Sequence, residues 1–277
     1  MAGSDRVTRV VALIPHLGRD AVADAWLAQA IESLLAQTTP LHGIVVADDA
    51  SPWAPDAVVA RYPSVSLYRN GSNTGPFAID DAVFASIQAD AVLLQDSDDW
   101  SLPERLQRLL AEFENGAELV GSQIRHVAEH GQPHEGPDLE TLPPDPRALL
   151  LQQPTAHALL LPSALVSVAL ARRLGGFASG LRFGGDPEFV RRAVFGGRVR
   201  NIAEAVYVRR LHPQSLTRAP ATGFGSPARL AIQAQVQAQA RALANAFRAG
   251  EPLDLAPLVR APPTQLLHML GPAIPGL

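Results

Sequence analysis

The sequence predicts an α/β fold, a mostly parallel sheet flanked by helices, and three observations predict it. From Val7 to Val120, short apolar runs alternate with stretches of helical period. The runs are continuously apolar, as strands buried on both faces require. Three of them end in polar or acidic residues: Pro15-His16, Asp48-Asp49 and Asp96-Ser97-Asp98-Asp99. An open parallel sheet gathers its ligands beyond such strand ends.

Val10 to Ile14 reads as the first buried strand, stopped by Pro15. Leu27, Ala30, Ile31, Leu34 and Leu35 recur at spacings of three and four and mark one face of a helix. Gly43 to Ala47 is the second strand, Asp56 to Tyr62 a short helix, and Val65 to Tyr68 the third strand. After a turn-rich loop from Gly71 to Gly75, Phe77 to Gln88 is helical and Ala91 to Leu94 is the fourth strand. Ser101, Pro103 and Glu104 together predict a capped helix start, with Leu106, Leu109, Leu110 and Phe113 on its apolar side. Beyond Glu118 the pattern is less regular. Glu118 to Val127 and His157 to Leu161 are expected as strands, separated by a proline-rich loop from Gln132 to Pro146. Gly175-Gly176-Phe177 ends one helix and Asp186 to Phe195 forms another. From Ser226 a long glutamine- and alanine-rich helix carries Ile232, Val236, Ala240, Leu243 and Phe247 on one stripe. That stripe serves either the core or a homodimer through the C-terminal helices. The expected divisions are 1–120, 121–217 and a helical appendage over 218–277.

Composition narrows the function classes. The 277 residues are 47% hydrophobic and 18% charged, ordinary for a globular chain with a sizeable core. A net charge of −4 supplies no basic field for nucleic acid or an anionic membrane, so an anionic ligand must be held locally. With no cysteine there is neither a disulfide framework nor a thiolate metal site. The N-terminal stretch lacks the features of a signal peptide, and no apolar run reaches the roughly 20 residues of a membrane span. A cytoplasmic location is the expectation.

Carboxylates massed at a strand end repel one another unless a cation or a hydrogen-bonded ligand separates them. Oxygen-only ligands suit magnesium or manganese. For Asp96 to Asp99, the residues alone balance a metal site against a solvated loop that caps the next helix. The strand-end acids nearby favour the site. His126, His130 and His134 share a four-residue spacing, but Gly131 and Pro133 interrupt the helix that would align them. His157 lies at an expected strand that would border a ligand pocket, but with no sequence partner it reads as a packed histidine, and Trp100 either walls a pocket or anchors the acidic loop.

Five segments occur in order: Ile14-Pro15, Ile31 to Thr38, Val45 to Ser51, Asn73-Thr74-Gly75 and Gln95 to Asp99. Together they resemble the large inverting family of GT-A-fold glycosyltransferases usually numbered family two, over roughly residues 7 to 217. The resemblance implies a GT-A type nucleotide-binding sheet, a nucleotide-sugar donor, a divalent cation (Mn2+ or Mg2+) and a hydroxyl-bearing acceptor of unidentified class. It implies that Pro15 and Leu17 line the base pocket, that Asp49 accepts from a base imide, favouring UDP or dTDP, and that Asn73 belongs to the donor site. Asp96 would face the ribose or the metal, Asp98 and Asp99 would bind the metal, and His212 would lie near the phosphates or metal. Asp186, opening its helix, maps onto the family's general base; the residues alone also allow it to be a helix cap. Five positions depart from the family pattern: Leu17 and Gly18 where an aromatic and an asparagine are common, Asp80 and Asp81 in place of arginine and asparagine, and Gly185 where a glutamate usually precedes the aspartate. Diphosphate charge must then fall to the metal and to Arg69 or a distal arginine. Two alternatives are a sugar-1-phosphate nucleotidyltransferase, which would want a glycine-rich basic loop after the first strand, and a GT-A module without turnover.

Overall fold

The computed structural model describes residues 7–129, 136–218 and 223–277. His130 and His134 of the histidine series lie outside them; His126 sits on a strand.

The first half follows the expected alternation: β1 (Val10–His16), α1 (Ala21–Leu35), β2 (Gly43–Asp48), α2 (Asp56–Val59), β3 (Val65–Asn70), α3 (Pro76–Ser86) and β4 (Ala91–Leu94). Then come β5 (Trp100–Ser101), α4 (Arg105–Glu114), β6 (Leu119–Ala128), β7 (Leu139–Glu140) and α5 (Pro146–Gln152). The chain ends with β8 (Leu165–Ser167), α6 (Val168–Arg173), α7 (Gly185–Gly196), β9 (Val199–Leu211), α8 (Pro227–Ala249) and β10 (Leu266–Leu270). All strands join one sheet in the order β10-β3-β2-β1-β4-β8-β6-β9-β5, with β7 on β6. β1, β2, β3 and β4 pair in parallel, while β8 runs antiparallel between β4 and β6.

Alternation along the strands splits the core. Val10, Ala12 and Ile14 face a cluster with Leu27, Ile31 and Leu34 of α1, Val58 of α2 and Leu106 of α4. Val11 and Leu13 face the other cluster, with Phe77 and Phe84 of α3, Leu170 of α6 and Phe189 of α7. Both faces being covered, the strands read as unbroken apolar runs.

Two expectations fail locally. His157 to Leu161 is not a strand: 161–163 is a short 3-10 turn, and the strand that fills the sheet is β8, just beyond Pro162, which has no N–H to give a ladder. Ser101 does not cap α4. It lies on β5, and its hydroxyl donates to Gln95 Oε1 at 2.7 Å. Gln37 takes over the capping role: its Oε1 accepts the Leu106 N–H at 2.8 Å, while its amide donates to the Ser33 and Leu102 carbonyls.

The stripe on α8 is spent inside the chain. Val236, Ala240 and Leu243 are buried in the core and Phe247 packs on Phe195, which leaves the homodimer without the face from which it was inferred. After α8, the chain adds β10 antiparallel to β3 at the sheet edge. No helix among the described residues is long and apolar enough to cross a membrane.

Candidate active site

The site is built on the loop following β4. Asp96, Asp98 and Asp99 bring one carboxylate oxygen each within 4.8 Å of one another. Beneath them is a buried polar floor. Arg105, fully buried, donates to Gln95 Oε1 and the Ser101 hydroxyl, both at 2.9 Å, and to the Leu94 and Pro162 carbonyls. Its guanidinium lies 4.8 Å over the Tyr207 ring. Burial lowers its pKa to about 10, while Tyr207, Asp99 and Asp96 counter that loss. An arginine so placed offsets part of the repulsion above it.

The three acids have different roles. Asp99 is buried; its Oδ2 accepts from the Tyr207 hydroxyl at 2.8 Å and its Oδ1 from the Arg210 N–H at 2.7 Å. Burial and Asp98 push its pKa up to about 8. Asp96 is pushed well above the carboxylate range by burial, then by Asp98, Asp99 and Asp186. Asp98 has a side chain 30% exposed, and its Oδ2 lies 2.7 Å from His212 Nε2. His212 is buried against Trp26, with ring centroids 4.4 Å apart. This donor set fits a hard dication: crowded carboxylates, two of them reluctant to ionise together, with one buried imidazole against Asp98. Trp100 anchors the loop, because Arg210 stacks on it at 4.9 Å while donating to the Asp98 carbonyl at 2.9 Å.

Asp186 reaches this cluster from the distant α7. It stands in the first turn, and the helix is capped by Gly184 in the left-handed conformation with no side-chain cap, so the capping alternative is not realised. Among the described residues the Asp186 carboxylate has no hydrogen-bond partner. Burial raises its pKa to about 6, opposed by the charges of Arg209, His157 and Arg229. Arg209 also favours the ionised forms of Asp96 and Asp99, so it is the cation shared by the two halves of the site. Arg69, expected to share the diphosphate charge, is paired with Asp48 at 2.6 Å and with Asp56.

The residues expected to line a base pocket lie where β1, β2 and the 71–75 loop meet. Pro15 and Leu17 are half-buried, with Leu17 just past β1. Gly18 permits a close approach of two backbones: a side-chain carbon there would come within 2.5 Å of the Trp53 carbonyl oxygen. That leaves no room for the family's asparagine. Asp49 is buried and holds the neighbouring loop: Oδ1 accepts from Asn70 and from the Thr74 N–H and hydroxyl, Oδ2 from the Gly75 N–H at 2.7 Å. Asn73 donates to the Asp49 carbonyl and accepts from Arg182.

The two unexpected acids separate cleanly. Asp81 is structural: it accepts the Phe177 N–H at 2.9 Å, where Gly175 and Gly176 turn the chain, and pairs with Arg260 at 3.2 Å. Asp80 is buried, and its pKa is raised well above the usual range by burial, then by Asp186 and Asp81. The folded state therefore holds a proton that the unfolded chain gives up near pH 4, and the resulting penalty grows as pH rises above that point. Asp80→Asn is expected to raise thermal stability at pH 8, by about 1 kcal/mol or more, with no gain below pH 4. Melting curves of both proteins across that range check it.

Comparison with known proteins bears on this geometry. The model of the Glycosyl transferase family 2 matches residues 13–175. The chain belongs to this family. A curated relative, the succinoglycan biosynthesis protein ExoO of Rhizobium meliloti (strain 1021), is 35% identical over 100 residues, a match spanning 35% of this chain and 28% of ExoO. Among solved structures, S. aureus TarS 1–349 superposes with a TM-score of 0.58 at 18% identity, covering 73% of this chain and 60% of that one. The same TarS fragment in complex with UDP gives 0.60 at 17% identity, over 89% and 76%; its complex with UDP-GlcNAc gives 0.59 at 18%, over 75% and 60%. At these identities the TarS structures establish the shared GT-A fold. This family-2 chain thus carries its acidic loop at the end of β4, inside the matched segment, whereas Asp186, Arg209 and His212 lie beyond it.

Proposed function

We propose that the chain transfers a sugar, with inversion, from a UDP- or dTDP-sugar to an acceptor hydroxyl. The supporting observation is the meeting of Asp186 with the acidic loop: the two lie close enough for the Asp186 charge to raise Asp96, with Arg209 near both. In this reading residues 1–120 form the donor half, 121–217 the acceptor and base half, and 218–277 the C-terminal appendage. Pro15, Leu17, Asp49 and Asn73 surround the base and ribose. Asp98, with Asp96, Asp99 and His212, holds Mn2+ or Mg2+, which when bound supplies positive charge to the diphosphate.

Asp186 takes the proton of the acceptor hydroxyl as its oxygen bonds to the anomeric carbon from the face opposite the diphosphate. The bond from that carbon to phosphate oxygen breaks, and its electron pair leaves with the nucleotide. Arg209 meets the charge that develops there. UDP complexes of the TarS fold support the donor class. The pyrimidine preference is only what the family resemblance implies, because the Asp49 carboxylate here is buried and taken up by Asn70, Thr74 and Gly75, so Asp49 shapes the 71–75 loop rather than offering a free acceptor to the base.

Thermal stabilisation tests the donor assignment. UDP with Mn2+ at about one hundred times its Kd is expected to stabilise the fold by about 2.7 kcal/mol, roughly 5 °C in Tm. GDP under the same conditions is expected to give much less. No shift with any nucleotide would remove the donor reading.

A further inference from the structure

One cluster outside the donor site borders the segment that α7 holds through Arg191. Glu140, on β7, is clamped by two imidazoles: His157 Nδ1 lies 2.8 Å from its Oε1 and His126 Nε2 lies 3.0 Å from its Oε2. These bonds hold the Glu140 carboxyl well below its usual range. An ionised carboxylate only accepts, so His157 carries hydrogen on Nδ1, and its Nε2 in the neutral ring is a bare acceptor. His157 is not the packed histidine the sequence suggested, for 48% of its side chain is exposed.

The segment bearing it is tied to the helix of the base. Arg191, on α7, donates to the Pro154 and Thr155 carbonyls at 3.1 and 3.0 Å, and Asn201 donates to the Ala158 carbonyl at 2.8 Å. His157 is thereby fixed on both sides, and it lies near enough to Asp186 for a proton on its ring to lower the Asp186 pKa. A carboxylate-oriented, solvent-facing imidazole beside a general base can position a second group of the molecule that the base deprotonates. Glu140 and Asp186 both disfavour an anion next to the ring. A neutral donor fits, and a sugar carries such hydroxyls next to its nucleophile.

We propose that Glu140 and His157 form the acceptor subsite, His157 Nε2 receiving a hydrogen bond from a hydroxyl of a saccharide acceptor adjacent to the one that Asp186 deprotonates. The inference rests on the transferase reading and assigns its acceptor a chemical class. The test is a titration of methyl β-D-glucopyranoside into the full chain saturated with UDP and Mg2+, followed by long-range proton–nitrogen NMR of the histidine rings. The His157 Nε2 resonance is expected to move with saccharide, and His157→Asn or Glu140→Gln to weaken saccharide binding about tenfold while UDP affinity stays within twofold. Normal UDP binding with an unmoved His157 resonance, or saccharide affinity unchanged in both variants, would overturn the subsite alone. If UDP itself does not bind the native chain, the transferase reading fails and the subsite falls with it.

Discussion

Asp186→Asn is expected to lower sugar transfer by about a thousandfold, within the range that positioned acid–base groups contribute, while UDP affinity and Tm change little. The carboxylate has no hydrogen-bond partner among the described residues, and Gly184 rather than Asp186 caps α7, so the amide disrupts no bond found in the structure. What it removes is the proton acceptor. The same group sets the acid limb of the pH profile. Its pKa of about 6 is a balance of burial, which raises it, against Arg209, His157 and Arg229. Because the ionised form is the active one, kcat/KM for the acceptor is expected to fall tenfold per pH unit below about pH 6. Arg209→Met removes the largest opposing charge, and the limb should move to higher pH. A variant Asp186→Asn with native turnover, or a profile flat down to pH 4.5, would take the base role from this residue.

How far this site was legible from sequence depends on how each residue is held. Strands β1 to β4 are buried on both faces, and such strands announce themselves as apolar runs. The acids at their ends follow from that assignment. Residues whose role is set by a partner far along the chain were not readable. Arg105 and Tyr207 form the floor of the acidic loop through bonds to Gln95 and Asp99, and nothing in the α4 or β9 pattern singles them out. An arginine on the side of α4 that carries Leu106 and Leu109 was the available signal. His157 lacked a partner because Glu140 reaches it only once β7 has paired with β6. Ser101 failed as a cap for a related reason: its hydroxyl is worth more as a partner of the buried Gln95 and Arg105 than at a helix end open to water. The edge strand β10 gave no signal because three of its five residues are exposed and none is buried, with Leu267 57% exposed.

Asp98→Ala is expected to abolish the metal dependence of UDP binding and reduce transfer at least a hundredfold, the loss typical of one electrostatic contact to a developing charge. The contrast with Asp99 makes the prediction specific. Asp98 has one side-chain partner, His212, and a side chain 30% exposed, so its removal unpairs one buried imidazole and is expected to lower Tm less than Asp99→Ala does. Asp99 is 3% exposed and satisfies the Tyr207 hydroxyl and the Arg210 N–H. Asp99→Ala strands both donors in the interior and is expected to cost about 2 kcal/mol or more of stability in addition to activity. Titrating Mn2+ against each variant, with UDP binding by calorimetry and Tm by scanning, separates a ligand from a support. Metal-stimulated UDP binding that survives Asp98→Ala would place the cation elsewhere. The polar floor of Arg105, Gln95 and Tyr207 makes the distinction possible, because it holds the loop in place whether or not Asp98 is present.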